Sequence, residues 1–404
     1  MQNNKPRVLF VAPLPPPVHG SSVVSKQIKD SKLINDAFRC DFVNNSNSRK
    51  MNEIGKFPIA KIGRYLGAYF CMLWKLLTHR YDLTYLAITV NGIGFLKDWP
   101  FAITARLLSR HHVIHQHNKG MDGYVEKWPY SWMLRSCYKN AKVILLSWKL
   151  YEDISKVVSE EQVMVCPNGL TIPEILVNGE GNVKAKTNAI PVFLFLSNLI
   201  ESKGVYVLLD ACKILKDNGQ KFRCVYVGGV SKQINIESFE LSIHERGLED
   251  CVKYVGPKYG EDKEAYWNDA DVFVFPTFYY NECFPLVVLE AMQHRLPVVT
   301  SNEAGIPDMV KDGQNGYLVD AKVLKKNSSR ETLGSLATDE EREKSRQFNA
   351  IRGAETARAL ELLLTNPDLR HQMGEAGYER YKRLYTQEVF ENRMLECLKK
   401  SLNN

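Results

Sequence analysis

The sequence predicts an α/β fold with two domains, each a parallel sheet covered by helices. Three observations lead to this prediction. The chain has 404 residues, more than one hydrophobic core usually serves. Its short apolar runs are continuous rather than alternating, which is typical of strands buried on both faces of a parallel sheet. Successive runs are also separated by enough residues for a helix.

The apolar runs form two series, and each run is predicted to be a strand. The first series is Val8–Ala12, Thr84–Ala87, Val113–Ile114 and Val143–Leu146, and the second is Val192–Leu196, Arg223–Val227, Val272–Phe275 and Val298–Thr300. Between the two series lies a polar stretch with two glycines, which is typical of an interdomain linker. The charged segment 325–352 has few apolar residues and is predicted to be a surface insertion.

Composition excludes several classes of protein. Lys and Arg number 53 and Asp and Glu 46, an excess too small to indicate a nucleic-acid-binding protein. None of the nine cysteines forms a CxxC pair, and several lie in apolar runs, so we expect buried thiols in a reducing compartment. The sequence has no signal-peptide core and no apolar run of about 18 residues. These features predict a cytoplasmic protein.

Two glutamates flank the start of a helix predicted after the strand Val272–Phe275. Glu282 stands before the helix, Pro285 suits its first position, and Glu290 lies in its second turn. A helix start binds phosphate well, and carboxylates beside it suit sugar and ribose hydroxyls. The alternative is that Glu290 forms a cap or an ion pair on a solvated face.

This segment resembles the E-x7-E signature of the retaining family-4 (group 1) glycosyltransferases. Three further segments resemble family elements in the family's order: VCPNG at 165–169, LSNLIESKG at 196–204 and NEAGIPDMVKDGQNGYLV at 302–319. The resemblance implies the GT-B fold, in which two Rossmann-like domains have parallel sheets facing a central cleft. It also implies an amino-terminal acceptor-binding domain (1–175), a linker (176–189), a nucleotide-sugar-binding domain (190–375) and a final helix (376–404) that packs back on the first domain.

The resemblance assigns roles to residues of the second domain. Glu290 matches the carboxylate that binds the ribose, and Glu282 the one that approaches the donor sugar. Lys203 matches the lysine that neutralises the diphosphate, where a cation stabilises charge developing on the leaving group. Asn198 stands where the family has an arginine, so it brings a hydrogen-bonding group without charge. The backbone near the phosphates is that of Phe284, Pro285 and Leu286.

Two segments of the first domain also match family elements. In PLPPPVHGSS (13–22), Gly20 allows the backbone to approach the donor, and Ser21 or Ser22 is predicted to cap the next helix. A purely structural turn is the alternative there. His117, just past a strand end, matches the histidine that contacts the transferred sugar. Two alternatives stay open for His117. It could form an HxH metal pair with His115, for which no third ligand is evident, or it could be a structural histidine.

These matches imply a retaining, metal-independent transfer of a hexose-type sugar without a protein nucleophile. The donor is a nucleotide sugar such as a UDP- or GDP-sugar, with no other cofactor. The acceptor is a hydroxyl of a glycan or lipid-linked molecule, as in surface polysaccharide or glycoconjugate synthesis. A catalytically weak GT-B binding subunit and a nucleotide-sugar epimerase stay as alternatives. A dehydrogenase is disfavoured because no G-x-G-x-x-G follows the first strand.

A basic stretch needs its own explanation. Residues 49–80 contain seven Lys or Arg and one acidic residue, Glu53. One helical stripe in it is apolar: Ile59, Ile62, Leu66, Phe70, Leu73 and Leu77. We expect a helix that faces the core of the first domain. The second hypothesis is that this helix meets an anionic membrane surface, which would make the protein peripheral on the inner face of the membrane.

Overall fold

The structure, a computed structural model, describes residues 5–16, 18–46, 59–173, 190–319 and 339–403. It divides into two compact units: Met1–Gly169 with Leu384–Asn404, and Leu170–Arg383. The chain thus passes between units after Gly169 and again after Arg383, whereas we predicted boundaries near 175 and 376. The predicted linker, 176–189, lies outside the described residues.

The first unit contains a six-stranded parallel sheet. Its strands are β1 (Arg7–Ala12), β2 (Arg39–Asn44), β3 (Leu83–Ile88), β4 (His111–Gln116), β5 (Lys142–Leu145) and β6 (Val163–Val165). They lie in the order β2-β1-β3-β4-β5-β6. The central strands β1, β3, β4 and β5 are almost fully buried, as their continuous apolar character predicts.

Helices cover this sheet. They are α1 (Gly20–Asp30), α2 (Lys32–Ala37), α3 (Ile59–Thr78), α4 (Gly92–Leu108), α5 (Tyr130–Tyr138), α6 (Tyr151–Ile154) and the final helix of the chain. Helix α4 contacts both α3 and α5. The final helix, Gln387–Leu402, belongs to this unit, where Phe390, Met394 and Leu398 pack in one core cluster with Phe10 of β1 and Ile28 of α1.

The second unit contains another six-stranded parallel sheet. Its strands are β7 (Val192–Leu196), β8 (Arg223–Val227), β9 (Val252–Tyr254), β10 (Val272–Phe275), β11 (Val298–Ser301) and β12 (Gly316–Val319). They lie in the order β12-β11-β10-β7-β8-β9. The helices are α7 (Val205–Asp217), α8 (Ile236–His244), α9 (Gly260–Asp269), α10 (Leu286–Gln293), α11 (Ile306–Met309), α12 (Asp339–Thr365) and α13 (Pro367–Leu384), and Gln387–Leu402 of the first unit is α14. Two parallel sheets with helices confirm the predicted α/β fold.

Four strands were not predicted: β2, β6, β9 and β12. They are the edge strands of the two sheets. Each has partly exposed positions, and β6 and β9 have only three residues. A strand with one neighbour is covered less completely, so its sequence lacks the continuous apolar run by which the central strands are recognised.

The prediction of a surface insertion at 325–352 is wrong from residue 339 onward. There the chain enters α12, which packs closely along α7. Small residues allow this approach: a side chain at Gly353 would meet Asp210 Cβ at 2.7 Å, and Ala357 is buried. The first nine residues of the helix are polar, and its later turns bury Leu360 and Leu363 as well as Ala357. Residues 325–338 lie outside the described part.

The prediction that α3 turns its apolar stripe to the core is also wrong. Ile62, Leu66, Phe70 and Leu77 are 42–65% exposed, and Trp74 on the same side is 68% exposed. The buried positions of α3 include Met72 and Leu76, together with Lys61. The apolar arc of the helix is wider than its buried side, and periodicity does not distinguish the part that packs against the rest of the unit.

Two further features concern the surroundings of the chain. All nine cysteines are free thiols, and six of them are buried. Among the helices of the described ranges, none combines the length and the apolar character that crossing a membrane requires.

Candidate functional site

The strand order of the second unit reverses between β7 and β10. From β7 the chain continues outward to β8 and β9, and from β10 it continues to β11 and β12 on the other side. In open parallel sheets, ligands bind beyond the carboxyl ends of the two strands at such a switch point. Lys203 follows β7 and Glu282 follows β10, so both lie at this point.

Lys203 and Glu282 form an ion pair. The Lys203 Nζ atom donates to Glu282 Oε2 at 2.6 Å, and the two side chains are only 15% and 9% exposed. The same ammonium lies 4.3 Å from the centroid of the Tyr279 ring, where the face of the ring attracts a cation. The structure therefore brings together the two charged residues that the sequence predicted in separate motifs.

Hydrogen bonds join the loop after β7, which carries Lys203, to the loop after β10, which leads to Glu282. The carbonyl of Ser202 accepts from Phe278 N at 2.7 Å and from Thr277 Oγ1 at 3.3 Å. Gly204, with φ of +86°, directly precedes α7, and its α-carbon faces Pro276. The position of Lys203 is thus fixed by the backbone that also leads to Glu282.

Glu290 lies in the second turn of α10, as predicted. Its Oε1 accepts from Lys263 Nζ at 2.9 Å, while its Oε2 is shielded from solvent and has no hydrogen-bond partner among the described residues. The role of Pro285 needs correction: it is the N-cap of α10, with ψ of 119°, and the helix begins at Leu286. Phe284, just before it, is buried.

Asn198 supports a neighbouring turn. Its Oδ1 accepts from Gly229 N at 3.3 Å, just after the carboxyl end of β8. A side chain at Gly228 would collide with the carbonyl of Ser197, so this pair of glycines allows two strand-end loops to approach. The sequence analysis did not single out Gly228 and Gly229, although two glycines directly after a strand are a recognisable signal.

In the first unit, Gly20 is the first residue of α1. The residue that caps this helix is His19, not Ser21 or Ser22 as predicted. The His19 Nδ1 atom accepts from Ser22 N at 3.4 Å, and Ser22 Oγ accepts from His19 N at 2.9 Å, which is a reciprocal capping box. Serine thus occupies the third helical position.

His117 lies one residue beyond the end of β4. Burial, and secondarily the nearby His19, lowers the pKa of His117 to about 3, so its imidazole is neutral at physiological pH. Its Nε2 is shielded and has no partner in the described part of the chain. The neighbouring His115 is a core residue whose Nδ1 lies 2.6 Å from Tyr85 Oη. The described residues contain no group of three His, Cys, Asp or Glu side chains arranged for a metal.

Asp153 holds the loop that follows His117, and the sequence analysis missed it. Its carboxylate accepts from the backbone N–H groups of Gly120 at 2.9 Å, Met121 at 3.0 Å and Asp122 at 3.3 Å. Burial raises the pKa of Asp153, while these three bonds act in the opposite direction. No sequence signal links it to the loop about thirty residues earlier, because the contact is purely tertiary.

Replacing Asp153 with alanine is expected to loosen the loop after His117. Three backbone N–H groups lose their acceptor, at a cost of about 1–3 kcal/mol for each one that water does not reach. Amide hydrogen exchange at Gly120 and Met121 should accelerate. Glu152→Gln, on an exposed neighbour in the same helix, is the matched control. Unchanged exchange in Asp153→Ala would show that the loop is held by other contacts.

Comparison with known proteins agrees with these motifs. Residues 180–352 match the family model described as Glycosyl transferases group 1. The chain carries a group 1 glycosyltransferase domain. The group 1 glycosyltransferase resemblance recognised from sequence motifs is thereby confirmed, and the matched range contains Lys203, Glu282 and Glu290.

Curated relatives of this glycosyltransferase domain include enzymes named for polysaccharide synthesis. The amylovoran biosynthesis glycosyltransferase AmsK of Erwinia amylovora is 35% identical over 138 residues, which cover 32% of this chain and 33% of AmsK. The putative colanic acid biosynthesis glycosyltransferase WcaL of Escherichia coli is 32% identical over 165 residues, 39% of each chain. The matched stretches thus span only about a third to two-fifths of these relatives.

Solved structures match over nearly the whole chain. Sucrose-phosphate synthase from Thermosynechococcus elongatus superposes with a TM-score of 0.68 at 18% identity, covering 98% of this chain and 99% of that one. The Anabaena protein HepE, in a complex with UDP and glucose, superposes with a TM-score of 0.63 at 17% identity, covering 97% and 99%. At these identities the match establishes the GT-B fold.

Proposed function

We propose that the protein is a retaining glycosyltransferase. It moves a hexose-type sugar from a nucleoside-diphosphate sugar to a hydroxyl of a glycan or lipid-linked acceptor, in the synthesis of a surface polysaccharide or glycoconjugate. The observation that carries this proposal is the Lys203–Glu282 pair at the switch point of a sheet within a group 1 glycosyltransferase domain. The names of AmsK and WcaL support the polysaccharide context.

In this proposal Lys203 binds the donor diphosphate. Its ammonium has one carboxylate partner, and a diphosphate carries more negative charge than Glu282, so the donor competes with Glu282 for the cation. Glu282, once released from Lys203, is available to the sugar hydroxyls. As the glycosidic bond breaks, charge accumulates on the leaving diphosphate, where a fixed cation stabilises the transition state.

Glu290 is proposed to bind the ribose. Its unpartnered, shielded Oε2 is an acceptor that no described donor satisfies, and a buried acceptor of this kind is costly unless a ligand hydroxyl supplies the bond. Lys263 holds the other oxygen and keeps the carboxylate in place. His117, neutral and with a free ring nitrogen, is proposed to contact the transferred sugar.

The decisive experiment begins with the donor. Thermal shift against UDP-, GDP- and ADP-sugars identifies the nucleotide, and release of nucleoside diphosphate then measures turnover. Turnover is expected to continue in EDTA, because the proposed chemistry uses Lys203 and no metal. Loss of all turnover in EDTA, with recovery on adding a divalent cation, would contradict the metal-independent mechanism.

Product analysis separates the proposal from its two alternatives. With an acceptor extract, a transferase forms a new glycoside whose anomeric configuration matches that of the donor. An epimerase would convert the sugar in the absence of acceptor. A binding subunit would show a donor isotherm by calorimetry without turnover under any of these conditions.

The proposed partner of the first unit is an anionic membrane surface. The exposed stripe of α3 carries Phe70 and Trp74, and Trp132 of α5 is 60% exposed. Tryptophan is favoured at the interface between headgroups and acyl chains. Helices α3, α4 and α5 contain six Lys or Arg; Lys61 is buried and Lys75 pairs with Asp41, so four remain against one acidic residue, Asp98. Apolar side chains with a basic excess favour a lipid surface over a neutral protein partner.

The double variant Phe70→Ser, Trp74→Ser is expected to lose binding to vesicles. Wild-type protein should float with vesicles of phosphatidylcholine and phosphatidylglycerol and should bind far less to phosphatidylcholine alone. Ile236→Ser, Leu241→Ser, which replaces two exposed apolar residues of α8, is the matched control. Equal flotation of all three proteins, or flotation independent of phosphatidylglycerol, would refute the membrane contact.

A further inference from the structure

A polar cavity of about 550 Å³ lies at the amino-terminal edge of the sheet of the first unit. It opens where β4 starts at His111 and β5 starts at Lys142. His117 lies beyond the opposite end of β4. Six residues at about 3.3 Å each separate His111 from His117, a distance of roughly 20 Å. The cavity is therefore separate from the candidate sugar site.

The lining of this cavity is basic. Three cations contribute to it, Arg106, Arg110 and Lys142, and the lining includes no carboxylate. Arg106 donates to the carbonyl of Ser136 at 2.7 Å and Lys142 to the carbonyl of Glu161 at 2.9 Å, so both are held by neutral groups. None of the three cations forms an ion pair with a carboxylate of the described residues.

Two histidines add polar atoms to the same wall. His111 Nε2 is shielded from solvent and has no hydrogen-bond partner among the described residues. The His112 Nε2 atom lies 3.3 Å from the carbonyl oxygen of Cys137. The carboxylate of Asp82 is also near His111; its Oδ2 accepts from Arg7 N at 2.8 Å, and it keeps its negative charge. Three cations in a lining that contains no carboxylate favour an anionic ligand.

We propose that this cavity binds a small molecule that bears a phosphate group. Arginine forks match phosphate oxygens with two parallel hydrogen bonds, and the lysine adds a point charge. The volume exceeds that of inorganic phosphate and falls in the range of about 300–1,000 Å³ that organic ligands occupy. The phosphate belongs either to a soluble ester or to a lipid headgroup, because exposed Leu107 and Leu108 lie next to Arg106 on α4.

The test uses two probes and a double variant. Inorganic pyrophosphate is titrated by calorimetry in the Lys203→Ala background, which removes the cation proposed for the donor diphosphate. Vesicles of phosphatidylcholine with phosphatidic acid provide the lipid arm. Arg110→Ser, Lys142→Ser is compared with Lys213→Ser, Lys216→Ser, two surface lysines of α7. Circular dichroism verifies that each variant is folded.

We expect the Arg110, Lys142 variant to bind one of the probes at least about tenfold more weakly, because two charge-assisted hydrogen bonds are removed. The α7 control should bind as the parent does. If the Arg110, Lys142 variant loses pyrophosphate binding, the ligand is a soluble phosphate ester. If it loses binding to phosphatidic acid vesicles, the ligand is a lipid headgroup. Binding of neither probe, or equal binding by both double variants, would overturn the proposal.

Discussion

Replacing Lys203 with alanine is expected to reduce donor turnover by about 10²–10³-fold, the effect typical of removing one group that stabilises transition-state charge. The ammonium is largely shielded from water and, in the described part of the chain, pairs with the carboxylate of Glu282, so solvent screens its attraction to a diphosphate only weakly. The variant also leaves Glu282 without its ion-pair partner, which adds to the loss of geometry. Release of nucleoside diphosphate from the donor found by thermal shift measures the effect.

Two further variants define the prediction for Lys203. Glu290→Ala should also reduce turnover sharply, mainly through weaker binding of the nucleotide, because it removes the proposed ribose contact. Lys213→Ala is the matched control, since this half-exposed lysine of α7 pairs, among the described residues, with Asp217 in the same helix. Unchanged kinetics in both Lys203→Ala and Glu290→Ala would remove the site assignment.

Gly204→Ala is expected to destabilise the second unit more than any other single methyl addition in the Lys203 loop. The residue has φ of +86°, and a Cβ would lie 2.7 Å from Pro276 Cγ and nearer still to the Pro276 carbonyl. The positive φ costs about 1–2 kcal/mol, and the collision adds about 1–3 kcal/mol. Because Pro276 begins the loop that leads to Glu282, donor turnover should fall as well.

Gly219→Ala measures the effect of backbone strain without a collision, so its difference from Gly204→Ala is the effect of the collision. Gly219 has φ of +74°, but nothing lies within 4 Å of the position that its Cβ would occupy. The midpoint of urea unfolding, followed by fluorescence, should therefore fall less in Gly219→Ala than in Gly204→Ala. Equal midpoints would mean that the Pro276 loop moves aside without cost.

The sequence predicted the central strands of both sheets and none of the edge strands. A central strand such as β10 is covered on both faces and flanked on both sides, so nearly every residue in it is apolar. The edge strand β2 contains Arg39 and Asp41, with Asp41 accepting from Arg7 and Lys75, and this mixture does not resemble a buried strand. A continuous apolar run therefore indicates that a strand is buried, and a strand that is not buried goes undetected.

The candidate site shows a similar limit. Lys203, Glu282 and Glu290 were found because each belongs to a short motif, and the structure adds the contact between the first two. Lys263 and Asp153 were not found, since each reaches its partner from an element distant in sequence. Their positions depend on how helices pack on the sheet, which local patterns do not encode. Whether the predicted residues bind donor stays a prediction.

The α3 helix shows why periodicity alone misassigned a surface. The apolar arc that contains both Phe70 and Met72 is wider than the buried side of α3, so the amphipathic signal does not identify which part is buried. Aromatic residues decide the outcome: Tyr65 and Tyr69 pack edge-on against Phe101 of α4, and this contact sets the rotation of α3. The rest of the apolar arc is left exposed.

The final helix has a consequence for biosynthesis. Residues 170–383 form a unit without it, whereas the first unit needs Phe390, Met394 and Leu398, which follow the whole second unit in the sequence. As the ribosome releases the chain from its amino end, the later unit has its complete sequence first. Until that helix has been made, the first unit lacks the side chains that cover Phe10 and Ile28, and transiently exposed apolar surface of this kind favours aggregation.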